Sequence, residues 1–293
     1  MTSVLRPEEG ALFDLSARCK FRITGADRLR YLNGQITNDL RKATESVAIH
    51  ACVLNAKGRV DADVFIAAET DSFLLDAEAE ARDALAARLE RYIIADDVQV
   101  EDVTEQLALF HVIGRPVPSL PGALPITKAE RYGLVGADVW LPRAAESAAR
   151  ETLAAAVPMC DERRAETFRI ERGIPRFGFE LGNEIIPIEA NLEAATVDYG
   201  KGCYIGQEVI SRMKMSGQTN KRLYGLLPEH PLSRGMRLTV GGKEVGWVTS
   251  VAWSDRLGKR IALGFVKRGF QEPGTELHAE GSIAVRVAPL PFA

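Results

Sequence analysis

The last quarter of the sequence, from about Lys221 onward, consists of short apolar runs separated by glycines. The runs read "RLYGLL", "MRLTV", "EVGWVTSVAW", "RIALGFV", "TELHA" and "SIAVRVA". Regular short strands without helical segments between them are typical of a small closed β-structure. The sequence therefore predicts a β-barrel over residues 221–293.

Upstream of this region the hydrophobic pattern alternates between helical and strand periods. Apolar residues recur at spacings of three and four from Leu29 to Leu40, which predicts an amphipathic helix. "VAIHACVL" predicts a buried strand, "RVDADVFIA" alternates as a half-buried strand does, and "EAEARDALAARLERYII" predicts a long helix. We therefore expect an α+β fold with helices covering a sheet, and 293 residues suffice for two or three domains.

Charge and cysteine usage exclude several classes of protein. The formal net charge of −3 argues against direct nucleic-acid binding. The four cysteines lie far apart with no CxxC pair, which favours a reducing compartment and excludes a local zinc ribbon or iron–sulfur motif. No run of about 18 apolar residues or secretory signal is present, so we expect a cytoplasmic protein without membrane association. A monomer is the default expectation.

The segment "VDYGKGCYIGQEVISRM" holds the strongest candidate for a reactive group, Cys203. If a helix begins at "QEVISRM", Cys203 lies near its positive end, where a thiolate is favoured. Lys201 and Arg212 add positive charge, and residues 200–222 carry a local charge of +4 that would attract an anionic ligand. The residues alone leave open the alternative that Cys203 is a small buried hydrophobe in a glycine-shaped turn.

Carboxylates supply the other candidates. The helix and loop before this segment carry Glu171, Glu180, Glu184 and Glu189. One of these could accept paired hydrogen bonds from an amino-pyrimidine ring, whereas Glu180 and Glu184 are expected to be surface charges. Asp61 and Asp63 share one face of a strand after a glycine turn. One of the two could point into a cleft, although the alternation favours solvent for both.

The motif "KGCYIGQE" (Lys201–Glu208) resembles the signature of the YgfZ-type folate-binding proteins. These proteins are relatives of the glycine-cleavage T-protein, an aminomethyltransferase, and act in iron–sulfur cluster assembly or repair, with a link to tRNA modification. The blocks "RITGADRLRYLNGQITNDL", "LNAKGRVDADVFI", "RIERGIPRFGFEL" with "IPIEANLE", and "GWVTSVAWS" with "IALGFVKR" extend the resemblance over nearly the whole chain.

The resemblance implies a three-domain cloverleaf around a central hole that receives tetrahydrofolate. It implies a first α+β domain over residues 1–47 and 126–220, a second α+β domain inserted at 48–125, and a C-terminal β-barrel at 221–293. Folate is the implied ligand, and iron–sulfur cluster proteins are the implied clients.

The resemblance also gives roles to individual residues. Cys203 is the implied catalytic residue, and the implied folate-binding residues are Asp61, Glu171, Lys201, Tyr204, Gln207 and Arg212. Glu171 matches the T-protein glutamate of the "LE-x-G" turn that holds the pterin, and Asp61 falls near the aspartate beside the reactive nitrogens of folate. T-protein-like sequences read "GG-x-x-DD" where this chain reads "KGRVDAD", a departure that weakens the case for aminomethyl transfer.

Three functions therefore remain for the structure to weigh. The first is a folate-dependent accessory protein for iron–sulfur enzymes in which Cys203 performs redox or one-carbon chemistry. The second is an aminomethyl- or methyltransferase that depends on Asp61 more than on Cys203. The third is a non-catalytic module that binds a partner or a cluster through the basic loop.

Overall fold

The computed structural model describes residues 9–292. Its strands are β1 (Ala11–Asp14), β2 (Cys19–Thr24), β3 (Ile49–Leu54), β4 (Val60–Ala68), β5 (Phe73–Ala77), β6 (Gln99–Asp102), β7 (Leu107–Ile113), β8 (Thr127–Glu130), β9 (Val135–Pro142), β10 (Lys221–Pro228), β11 (Arg237–Val240), β12 (Lys243–Ser254), β13 (Lys259–Lys267), β14 (Glu276–Ala279) and β15 (Ile283–Ala288). The α-helices are α1 (Arg28–Gln35), α2 (Arg82–Glu90), α3 (Glu146–Ala156), α4 (Glu162–Arg172), α5 (Glu193–Thr196) and α6 (Gln207–Ser216).

The first sheet has five antiparallel strands in the order β3-β4-β5-β2-β6. Helices α1 and α2 cover one face, where Leu32 and Leu85 join strand residues such as Val64 in one buried cluster. Alternation along β4 sends Asp61, Asp63 and Phe65 to the opposite face. One face of the sheet is thus apolar and buried, and the other is rich in polar side chains.

The second sheet has four strands in the order β1-β7-β9-β8, and helix α3 packs its Leu153 against Leu12 and Phe110 of this sheet. Sheet pairing crosses the domain boundaries that the resemblance implies. Strand β2 pairs with β5 and β6 of the first sheet, and β7 pairs with β1 and β9 of the second. Strand pairing does not by itself define domains. The implied division into 1–47 with 126–220, 48–125 and 221–293 stays a prediction.

The six strands from β10 to β15 form a closed barrel in the order β10-β13-β12-β11-β14-β15. The glycines of this region are necessary where strands approach closely: a Cβ on Gly264 would lie 2.6 Å from both the Leu226 side chain and the Trp247 carbonyl oxygen. The α+β class and the C-terminal barrel predicted from the sequence are both confirmed. Across residues 9–292, no helix is long and apolar enough to span a membrane.

Candidate functional site

The segment 201–206, here called the signature loop, leads directly into helix α6. The helix begins at Gln207, the start considered from the sequence, and Gly206 before it adopts φ +86°, a conformation that glycine reaches without strain. The loop is anchored by Lys201, whose buried Nζ donates to the carbonyl oxygens of Asn33 (2.6 Å), Ile36 (2.7 Å) and Asn38 (2.7 Å). Burial lowers the pKa of Lys201 to about 8.

Tyr204 and Gln207 complete the anchoring of the loop. The Tyr204 ring is buried, its hydroxyl has no hydrogen-bond partner among the described residues, and burial raises its pKa to about 12. The backbone N–H of Tyr204 donates to the Gln207 side chain over 3.3 Å. Three of the implied folate-binding residues, Lys201, Tyr204 and Gln207, therefore make contacts that shape the loop itself.

Cys203 is exposed between these anchors, whereas Cys19, Cys52 and Cys160 are buried. The alternative that Cys203 is a buried hydrophobe is thus wrong. Burial raises the pKa of Cys19 to about 11 and that of Cys160 to about 12, and it raises the pKa of Cys52 as well. A thiolate is strongly disfavoured at the three buried positions, so Cys203 is the thiol that a reagent or partner can reach.

The positive charges of residues 200–222 are more dispersed than the sequence suggests. Arg212 pairs with Glu208 on the exposed side of α6, and Lys214 lies 3.4 Å from the centroid of the Tyr199 ring. Within residues 9–292, none of these cations forms a hydrogen bond or ion pair with the Cys203 thiol. Arg212 is therefore placed near the helix surface, and Arg222 instead faces a cavity described below.

Asp61 lies on strand β4, just after the hairpin turn against which the signature loop packs. Its carboxylate accepts a hydrogen bond from Asn55 (3.2 Å) and lies 3.5 Å from Nε of Arg88. Partial burial raises the pKa of Asp61. A Cβ on Gly206 would come within 2.7 Å of the Asn55 carbonyl oxygen, so the loop and the turn are in close contact. Gly206 of the signature loop and Asp61 thus both contact Asn55 of this turn.

Glu171 points toward the barrel. Its carboxylate accepts from the Ser254 hydroxyl and from Nε of Arg256 (3.1 Å), and it lines neither of the two cavities described next. Glu180 is 1% exposed and accepts from Arg169 and from Ser250, so its expected surface position is wrong. Both carboxylates fasten α4 and its following loop to strand β12 of the barrel.

Two adjoining cavities lie where the polar face of the first sheet meets α4 and the barrel. The larger has a volume of about 390 Å³ and is lined by His50, Arg172, Leu192, Arg222 and Tyr224, among others. The smaller, of about 220 Å³, is lined by Asp63, Phe65 and a ring of charged residues that includes Glu166 and Arg169. Arg131, Ile174 and Pro175 line both, so the cavities are neighbours.

Two arginines of the larger cavity lack a carboxylate partner among the described residues. Arg172 donates to the carbonyl oxygens of Tyr132 and Gly133, and Arg222 has a buried Nε without any hydrogen-bond partner. Guanidinium groups that line a cavity without a carboxylate partner attract anions such as carboxylates. The arrangement makes the larger cavity a candidate site for an anionic, partly apolar ligand.

The sequence does not indicate the pair formed by His50 and Asp63. Nε2 of His50 lies 2.6 Å from Oδ1 of Asp63, and the imidazole stacks on the Phe65 ring with centroids 4.2 Å apart. Period-two alternation in "HAC" and "DAD" places these side chains on one face, and that signal could have suggested a shared surface. The pairing itself depends on the register of β3 against β4, in which His50 lies opposite Phe65.

Comparison with known proteins identifies two domain types in this chain. The N-terminal domain of glycine-cleavage T-proteins matches residues 6–118, and the T-protein C-terminal barrel domain matches residues 221–293. An aminomethyltransferase of Rubrobacter xylanophilus is 28% identical over 307 residues, covering 96% of this chain and 82% of that protein.

Two further proteins are similar to this chain. A mitochondrial iron-sulfur cluster assembly factor, IBA57 homolog, of Dictyostelium discoideum is 24% identical over 249 residues, covering 72% of this chain and 60% of that protein. The crystal structure of the glycine cleavage system aminomethyltransferase T from Bartonella henselae shares the fold, with a TM-score of 0.84 at 21% identity over 97% of this chain and 86% of that one. With both T-protein domain types present in order, the chain belongs to the GcvT-like superfamily.

Proposed function

We propose that this protein is a tetrahydrofolate-binding accessory factor of the YgfZ type that supports assembly or repair of iron–sulfur enzymes, with Cys203 as its functional thiol. The observation that carries the proposal is the presentation of Cys203. The residues around it, Lys201, Tyr204 and Gly206, are fixed by buried contacts and tight packing, yet the thiol itself is exposed. A fixed, accessible thiol suits transient exchange with a client better than a structural role.

The larger cavity fits the chemistry of tetrahydrofolate. A volume of about 390 Å³ falls in the range of ligand pockets, which is about 300–1,000 Å³. Leu192 and Tyr224 offer apolar surface to a flat heterocycle, and Arg172 and Arg222 offer charge to the glutamate tail. When bound, tetrahydrofolate supplies a carrier for one-carbon units.

The carried-over role of Glu171 fits less well with this cavity. Its carboxylate is engaged by Ser254 and Arg256, so contact with a pterin would require both partners to release it. Asp61 has a more open carboxylate, but it too lines neither cavity. The proposed folate site therefore consists of Arg172, Arg222 and the apolar wall, with Glu171 and Asp61 as secondary candidates.

Aminomethyl or methyl transfer is the second candidate function. The aminomethyltransferase relative of Rubrobacter xylanophilus supports it, and so does the raised pKa of Asp61, since a carboxyl group that holds a proton more readily suits proton exchange with an amine. This function predicts turnover of an amine donor that is lost in Asp61→Asn and retained in Cys203→Ser.

The test combines folate binding with a cellular assay. Cys203→Ser should bind tetrahydrofolate as the unmodified protein does, because Cys203 lines neither cavity, but it should fail to restore a [4Fe–4S] hydro-lyase in cells lacking the gene. Met215→Ala is the matched control, since Met215 is 88% exposed on α6 and a change there should preserve both properties.

The outcomes separate the candidates. Full restoration of the hydro-lyase by Cys203→Ser would overturn the role of the thiol. Absence of saturable tetrahydrofolate binding by the unmodified protein would remove folate from the proposal. Loss of amine-donor turnover in Asp61→Asn but not in Cys203→Ser would favour the transferase.

A further inference from the structure

The His50–Asp63 pair lies at the junction of the two cavities. His50 lines the larger cavity, while Asp63 and Phe65 line the smaller. Each side chain of the pair retains 13% exposure, so the pair is sheltered but open. Neither residue has a role in the proposed binding of the folate tail or in the proposed chemistry of Cys203.

Two contacts fix the imidazole in place. The Phe65 ring lies parallel to it, with an angle of 7° between the planes, and the Asp63 carboxylate holds Nε2 at 2.6 Å. Asp63 is a diagonal neighbour of His50 across the antiparallel pair β3–β4, in which long side chains reach one another. An ordered ring of this kind presents its free nitrogen in one direction.

The carboxylate also determines which nitrogen carries the proton. An ionised carboxylate only accepts hydrogen bonds, so Nε2 of His50 must donate to Asp63. In the neutral imidazole Nδ1 is then an acceptor. Among residues 9–292, Nδ1 of His50 has no hydrogen-bond partner. The atom is not fully buried. The acceptor therefore remains reachable from the larger cavity.

We propose that Nδ1 of His50 accepts a hydrogen bond from an N–H group on the edge of a heterocycle bound in the larger cavity, with Asp63 as the positioning residue. The inference rests on the proposed folate function and deepens it. The charges divide the ligand between two regions: Arg172 and Arg222 face the anionic tail, and the imidazole, whose N–H is committed to Asp63, faces the heterocycle.

Binding of two probes by the full-length protein tests this division. His50→Phe keeps an aromatic ring stacked on Phe65 but removes the acceptor. Its affinity for tetrahydrofolate should fall about threefold to tenfold, the effect of one neutral hydrogen bond. Its affinity for p-aminobenzoylglutamate, which has the tail but no pterin, should not change. His278→Phe is the control, because His278 also lies near a carboxylate but belongs to the barrel and lines neither cavity.

Histidine ring nitrogen spectra give a second readout that a merely structural role would not move. The His50 ring should show the Nε2–H tautomer, and tetrahydrofolate should shift its Nδ1 signal but not that of His111. Asp63→Ala should mix the tautomers and weaken tetrahydrofolate binding to a similar degree. Should His50→Phe not fold, His50→Leu also removes the acceptor and takes its place in the test.

The results distinguish this inference from the proposed function. If the unmodified protein binds tetrahydrofolate and His50→Phe binds it equally well, the role of His50 is wrong and the folate site stands. If His50→Phe weakens both probes equally, the imidazole does not face the heterocycle. If the unmodified protein binds neither probe, the folate function fails and this inference fails with it.

Discussion

The protein contains two histidine–aspartate pairs of nearly equal length in opposite environments. His50 and Asp63 are 2.6 Å apart and each is 13% exposed, while His111 and Asp138 are 2.7 Å apart and 0% and 1% exposed. The first pair opens onto cavities, and the second is closed on every side. The same chemistry therefore serves two purposes, and the surroundings of a pair identify its purpose better than its geometry does.

The closed pair is part of a buried network between the two sheets. Arg131 donates to Asp138 on β9 and to Asp76 on β5, so one guanidinium joins strands of different sheets. Arg18 also pairs with Asp76. Nε2 of His111 is buried without a partner among the described residues, which leaves this imidazole no access to a ligand.

The largest effect is expected from removing the centre of that network. Arg131→Met should lower the free energy of unfolding by about 3–5 kcal/mol, because buried Asp138 loses its arginine partner and buried Asp76 is left with Arg18 alone. Urea denaturation measures the change. The control is Arg212→Met, which removes an exposed pair and should leave stability nearly unchanged. A loss from Arg131→Met as small as that of the control would mean that the network does not hold the sheets together.

Acid should distinguish the closed pair next. Burial lowers the pKa of His111, so below about pH 6.5 the unfolded chain binds a proton that the folded protein refuses. Stability should therefore fall as the pH drops from 7 to 5, and this residue contributes at most about 1.4 kcal/mol per pH unit. His111→Gln should flatten that part of the slope measured by denaturation at each pH.

Two features keep this test specific. The pKa of Asp138 is lowered to about 2 by Arg131 and His111 against the effect of burial, so its stabilisation is lost only in stronger acid, below about pH 3.8. Val139→Ala destabilises the same sheet without removing a titrating group and should shift the curve while keeping its slope. An unchanged slope in His111→Gln would contradict a neutral, buried His111.

The sequence predicts features that depend on local pattern. The barrel follows from glycine-separated strands, and the segment that begins α6 could be considered a helix from its local sequence. The sequence does not predict features that depend on contacts between residues far apart in the chain. Glu180 resembles a surface residue, but Ser250, 70 positions away, and Arg169 bury it. The placement of β2 and β7 likewise depends on strand partners that no local pattern specifies.

The candidate site shows the same limit. Cys203 and its basic neighbours stand out in one short segment, and the alternation of Asp61 and Asp63 places both on one strand face. The contact of His50 with Asp63 depends on the register of β3 against β4, which is set by the hairpin and an irregularity beside Val53. This chain departs from the "DD" pattern of T-protein-like sequences, and its Asp63 pairs with His50, a residue that lies outside that pattern.

The smallest stability effect is expected at the open pair, where one substitution can be made in both regions. Asp63→Asn should cost less than about 1 kcal/mol, since the amide still accepts from His50 and the site remains partly hydrated. Asp138→Asn should cost about 3 kcal/mol or more, because Arg131 loses half of its buried counter-charge. Thermal and urea denaturation of the two variants, side by side, measure the ratio. Equal costs would mean that the open pair is structural as well, since a carboxylate that is retained for ligand positioning contributes little to folding.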